Sequence, residues 1–153
     1  MLENRNINVC LVSDLFENYP LSENTIVVVV DLLRATTVIS TAFNFGVKEI
    51  IPVPSLEIAK TYIDREDFIV AAERNAMPIK GFDYGNSPFQ YMNNDILDKT
   101  LVLTTTNGTK AINIASNYEV ITSCFINIDA VEEFLLNSNK DVLILCYGWK
   151  GVF

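Results

Sequence analysis

Histidine is missing from all 153 residues. That absence removes Ser-His-Asp and Cys-His nucleophile systems, phosphohistidine chemistry and every His-ligated metal site. Any catalysis has to run on carboxylates, hydroxyls, amides, Arg or Lys, with a hard metal ion as the expected helper. Positive charge is scarce too: eleven Lys plus Arg stand against nineteen Asp plus Glu, a net charge of −8. No basic run occurs, which argues against nucleic acid or an anionic membrane as partner. The three cysteines, Cys10, Cys124 and Cys146, form no C-x-x-C pair and lie in or beside apolar segments. They read as reduced core residues, not as a disulfide framework or a zinc knuckle. No apolar run approaches the length of a bilayer span, and MLENRNINVC has neither the basic head nor the apolar body of a secretory signal. The expected location is the cytoplasm.

Apolar residues, by contrast, make up 50% of the chain, which is enough for one domain with a proper core over residues 1–153. The densest run is Ile26 to Val30, four of its five residues valine. It is too short and too β-branched for a helix and reads as a strand buried on both faces in the middle of a sheet. Asp31 follows at once, and Arg34 opens a helix from Ala35 to Phe45, with Gly46 as its stop. Further strands are expected at Ile7 to Val12, Lys48 to Val53, Phe68 to Ala72, Thr100 to Thr104, Val120 to Cys124 and Val142 to Cys146. Helices are expected at Leu56 to Ile63 behind a Ser55 cap, at Pro88 to about Asn93 behind Ser87, over Ala111, Ile114 and Ala115, and from Asn127 or Asp129 to Leu136. The stretch from Arg74 to Ser87 reads as loop. This alternation predicts the α/β class, a three-layer α/β/α sandwich on a mostly parallel mixed sheet. The glycine loop Tyr147 to Phe153 closes the chain where a covering helix is due, so a C-terminal portion of the fold is expected to be lacking and a homodimer is the expected assembly.

Three polar loops begin where strands end, near Asp31, Glu73 and Thr105. With parallel strands they meet at one edge, where α/β sheets bind ligands. That edge would gather Asp31, Arg34, Glu73, Asp83, Asn86, Ser87, Thr105, Thr106, Asn107, Gly108 and Thr109. Carboxylates with carboxamide and hydroxyl oxygens suit Mg²⁺, so Asp31, Glu73 and Asp83 are the candidate metal ligands or catalytic acids. An arginine, hydroxyls and a glycine turn at a helix start suit phosphate or sulfonate oxygens, making Arg34, Asn86, Ser87 and Thr105 to Thr109 the candidate anion site. Each motif alone also has a plain structural reading: Asp31 as a helix cap, Thr-Asn-Gly-Thr as a capped turn, Glu73 and Asp83 as solvated acids. It is their coincidence at strand ends that favours a site.

The segments VVVVDLLRATTVISTA, AAERNAMPIKGFDYGNSPFQY, TTTNGTKAI, SCFIN and CYGWKGVF, in this order and spacing, resemble the 2-phosphosulfolactate phosphatase (ComB) family over nearly the whole chain. The resemblance implies an α/β/α fold and Mg²⁺-dependent hydrolysis of a small sulfonated phosphoester, a step toward coenzyme M. Two departures stand out. The family carries a glycine pair after the third strand-end Glu, where this chain has Arg74-Asn75-Ala76, and it continues past the position of Phe153 with an acidic pair and a further α/β portion. A haloacid-dehalogenase-type phosphatase would need a second Asp at position 33, which is Leu. The rival from another class is a non-catalytic module that binds a small anion.

Overall fold

The computed structural model describes residues 5–148, so Trp149 to Phe153 of the closing glycine loop lie outside the described residues. The chain begins with β1 (Ile7–Cys10), a 3-10 turn, β2 (Thr25–Val30) and α1 (Ala35–Asn44). Next come β3 (Glu49–Pro52), α2 (Leu56–Lys60), β4 (Phe68–Arg74) and the two-residue β5 (Met77–Pro78). Two 3-10 turns lead to β6 (Thr100–Thr104) and α3 (Gly108–Ile114), followed by β7 (Glu119–Ser123), α4 (Ile128–Leu136) and β8 (Asp141–Cys146).

The boundaries have local causes. Gly46 ends α1 at φ +89°, a backbone conformation that calls for glycine. Ser55 Oγ accepts from Ile58 N at 3.3 Å and caps α2 as expected, although α2 ends at Lys60 and not at Ile63. Pro88 does stand at a helix start, but that helix is a single 3-10 turn, Pro88–Tyr91, and Ser87 makes no side-chain cap. Asn127 precedes α4 without capping it; its Oδ1 accepts from Cys124 N at 2.8 Å instead.

The strands fall into two hydrogen-bonded sheets. One has the order β1-β8-β2-β7 and is wholly parallel; the other, β3-β6-β4-β5, is parallel except for β5. Each sheet is the middle of an α/β/α sandwich, and the two sandwiches share their inner helices. Val38, Ile39 and Ala42 of α1 pack with Ile69, Leu101 and Leu103 of the second sheet. Ala111 and Ala115, from α3 and its C-cap, pack with Val27, Val29 and Leu143 of the first. Ile112 touches both cores. The outer faces are covered by Val131 and Leu135 of α4 on one side and by Ala59 of α2 on the other. The valine run is therefore buried on both faces, as its composition demands. Among the described residues, no helix is long and apolar enough to cross a membrane.

One element was missed in the stretch read as loop: β4 turns back into β5 through Asn75 and Ala76, with φ of 54° and 64°. Two positive φ values in a two-residue hairpin make a turn that favours glycine, and alanine in this region costs about 1 kcal/mol or more. Ala76→Gly is therefore expected to stabilise the chain by up to about 1 kcal/mol in denaturant unfolding. An unchanged or lowered midpoint would contradict a strained turn.

Candidate active site

Asp31 leaves the end of β2 and is pinned by the first turn of α1. Thr36 N and Thr36 Oγ1 donate to Asp31 O at 3.1 and 2.8 Å, and Asp31 N donates back to Thr36 Oγ1 at 3.2 Å. This closed loop holds the carboxylate, 6% exposed, at the point where α1 and α3 begin. Burial pushes its carboxyl up to about 6. Backbone N–H groups of Ala35, Gly108 and Arg34 pull the other way, and the negative charge of Glu73 adds to the rise. Gly108 has to be glycine here, because a Cβ would overlap Ala35 Cβ and sit 2.8 Å from Asp31 Oδ2.

Glu73 comes from the other sheet, one residue before the end of β4, and is 3% exposed. Its Oε2 accepts from Thr106 N at 3.1 Å, and its Oε1 accepts from Thr106 Oγ1 at 3.0 Å and from Ala76 N. The hairpin turn then reaches across the cleft, where Arg34 Nη2 donates to Ala76 O at 3.2 Å. The backbone of a single residue, Ala76, thus links the arginine to the acid. Asp31, Arg34, Glu73 and Asn107, with Leu33 and Ala76, line one cleft of about 330 Å³. A second cleft shares Asp31, Leu33 and Asn107 and extends to Cys146, Tyr147 and Gly148.

Other candidates have different placements. Thr105 and Thr109 are buried and bonded to each other: Thr105 N donates to Thr109 Oγ1 at 3.0 Å, and Thr109 N donates to Thr105 Oγ1 at 3.1 Å. They lock the turn that starts α3, and their hydroxyls do not face the cleft as an anion cradle would need. Thr106 is engaged with Glu73, and Gly108 points its N–H at Asp31. Asn107 makes no side-chain cap and is left as the cleft-facing member of the motif. Asp83 stands apart: its Oδ2 accepts from Val70 N at 2.9 Å, and it lines a separate depression with Asp95 and Lys99. Accordingly, among the described residues no group of three acids or cysteines gathers to hold a metal. Asn86 is buried with an Oδ1 that finds no partner among the described residues, and Ser87 lines an apolar groove beside Arg34.

The three loops do converge, but across two sheets and not along one edge. Ala76 acts through its backbone, which residue type does not reveal; the available signal was the glycine pair that the family resemblance implies where this chain has Arg74-Asn75-Ala76, and Asn75 and Ala76 do take positive φ. The donor set that remains, two buried carboxylates and a carboxamide facing one cleft, has the chemistry of a hard-cation site. Mg²⁺ is commonly held by one or two protein carboxylates, with water and phosphate oxygens completing the shell.

Comparison with known proteins decides the family. The model of the family described as 2-phosphosulpholactate phosphatase matches residues 10–153. This chain belongs to that family. A protein of Caldanaerobacter subterraneus subsp. tengcongensis named probable 2-phosphosulfolactate phosphatase is 47% identical over 132 residues, covering 83% of this chain and 54% of its own length. Relatives of the same name from Thermotoga petrophila and Clostridium tetani are 45% and 40% identical, covering 82% and 97% of this chain and 55% and 64% of their own lengths. The chain thus spans between 54% and 64% of the length of these relatives.

The raised carboxyl of Asp31 sets a pH dependence. Between about pH 4 and pH 6 the unfolded chain ionises at this position before the native one, so stability falls as pH rises. The full penalty, on the order of 3 kcal/mol, is present above pH 6. Asp31→Asn, melted without divalent cation, is expected to gain stability over the parent at pH 7.5 and to lose that gain near pH 4. An equal difference at both pH values would show that the carboxylate is not destabilised by burial. Gly108→Ala should lower stability by about 1–3 kcal/mol through overpacking against Ala35 and Asp31, and a neutral result would contradict the close approach.

Proposed function

We propose that this chain acts as a Mg²⁺-dependent phosphomonoesterase that hydrolyses 2-phosphosulfolactate to sulfolactate and phosphate. The observation that carries the reading is the meeting of Asp31, Glu73, Arg34 and Asn107 in one cleft at the ends of strands from both sheets. The names of the relatives supply the substrate. Phosphoryl transfer passes through a loose transition state that needs charge placement and alignment more than covalent help from the protein. Asp31 and Glu73 would hold Mg²⁺, which when bound supplies neutralisation of the phosphoryl oxygens. Arg34, braced by Ala76 O, presents a planar fork suited to two oxygens of a phosphate or sulfonate. Asn107 offers a carboxamide donor to the same anion. Thr106 holds Glu73 in place through its N–H and hydroxyl, so the acid keeps its orientation when substrate enters.

A second reading has its own support. Glu73 already accepts three hydrogen bonds, and no third acid joins it and Asp31 among the described residues. A cleft of that kind can hold a small anion without turning it over.

Phosphate release from 2-phosphosulfolactate, with Mg²⁺ and with EDTA, separates the two, run beside the full-length Caldanaerobacter relative. Turnover that EDTA abolishes is the expected result. Asp31→Asn should cut kcat by about hundredfold or more, and Arg34→Lys should raise KM by about tenfold while keeping the charge. Substrate binding with no turnover at any Mg²⁺ concentration would favour the binding module, and full activity in Asp31→Asn would remove that residue from the machinery.

A further inference from the structure

Beside the polar cleft lies a groove of about 500 Å³ with a different character. Three chain segments build it: Leu32 and Leu33 after β2, Pro88 and Phe89 in the 3-10 turn, and Phe125 and Ile126 after β7. Leu33, Phe89 and Phe125 are 88%, 80% and 77% exposed. Such a cluster of large apolar side chains at one place on the surface marks a binding site more often than chance. Its position says what kind of occupant fits. Leu33 and Arg34 line both this groove and the cleft of Asp31 and Glu73, so the groove begins where the phosphate-binding cation stands. Arg34 is the charged residue among those lining it, and Thr37 and Ser87 are the polar ones. An occupant matched to both regions has an anionic head at Arg34 and an uncharged, apolar body of ring size extending away from it.

From this juxtaposition we infer that the groove is a leaving-group subsite, which extends the substrates of the cleft to phosphomonoesters of apolar alcohols and phenols. The inference rests on reading the Asp31 cleft as a phosphate site and goes beyond sulfolactate, whose small charged body would leave the groove unfilled. In hydrolysis of such an ester the oxygen of water bonds to phosphorus, and the bond from phosphorus to the ester oxygen breaks. A proton from the water ends on the departing alcohol or phenol, which lies in the groove that Phe89 and Phe125 line. Burial of an aromatic ring against these side chains favours the apolar ester over a small polar one.

The test uses probes that cannot be hydrolysed. Phenylphosphonate and methylphosphonate would be titrated calorimetrically into this chain in Mg²⁺. Phenylphosphonate should bind about tenfold or more tightly, and Phe89→Ser and Phe125→Ser should each remove most of that preference while moving methylphosphonate by less than about twofold. Arg34→Ala should weaken both. Equal affinity for the two phosphonates, binding of neither, or a preference that survives both Phe→Ser variants would overturn the inference. Sedimentation at the same concentrations checks the alternative occupant: a dimer dispersed by either variant would assign the groove to a second copy and also overturn it. The two failures are distinguishable. Turnover of 2-phosphosulfolactate without a phenyl preference overturns the subsite and leaves the phosphatase, whereas a phenyl preference without turnover of any ester, phenyl phosphate included, overturns the phosphatase and with it the leaving-group role, reducing the groove to an apolar binding site.

Discussion

Two carboxylates buried within reach of one another's charge are the constraint on which the site depends. Asp31 and Glu73 are each almost wholly removed from water, and the negative charge of Glu73 adds to what burial already costs an ionised Asp31. The fold offsets part of that cost. At Asp31, two helix starts direct N–H groups at the carboxylate, at Ala35 for α1 and at Gly108 for α3. Glu73 for its part is held in place by neutral donors, the N–H and hydroxyl of Thr106 and the N–H of Ala76. The first acid stays costly to ionise and faces the cleft, while the second is oriented by a network. Asymmetry of that kind between neighbouring acids is a common arrangement in sites that handle charge.

Much of the scaffold was legible because its signals are local. Five consecutive β-branched residues, Ile26 to Val30, can hardly be anything but a buried strand. Gly46, Ser55 and Pro88 mark boundaries through backbone conformation, a side-chain cap and a missing donor respectively. Family membership was legible too, since GFD-x-GNSP and TTNGT keep their spacing in this chain. The division of the strands between two sheets was not, because pairing depends on which strands meet across more than a hundred residues, as Ile26 and Val142 do. Alternation of strand and helix is the same whichever sheet a strand joins.

Within the site, residue type located the region but not the division of labour. Thr105, Thr106, Asn107, Gly108 and Thr109 look like one anion cradle when read as a string. In three dimensions Thr105 and Thr109 bond each other, Thr106 serves Glu73, Gly108 makes room for Asp31, and Asn107 faces the cleft. A hydroxyl can accept, donate or lock a turn, and nothing in composition chooses among these. Asp83 illustrates the converse: an acid close in sequence to the site is drawn away by the free N–H of Val70.

The nesting of one sheet inside the other bears on how the chain comes to be folded at all. Every strand of the β3-β6-β4-β5 sheet lies between residues 49 and 104, so its pairing can close while β7 and β8 are still unsynthesised. The valine strand has no such freedom. Emerging early, it must wait for partners more than ninety residues downstream, and until then it is the most apolar unpaired edge on the nascent chain. Because α1 joins β2 to β3 and packs on Ile69, Leu101 and Leu103 of the second sheet, that sheet, if it closes first, would give the waiting strand a neighbouring surface, and the order of synthesis and the order of burial would run in step.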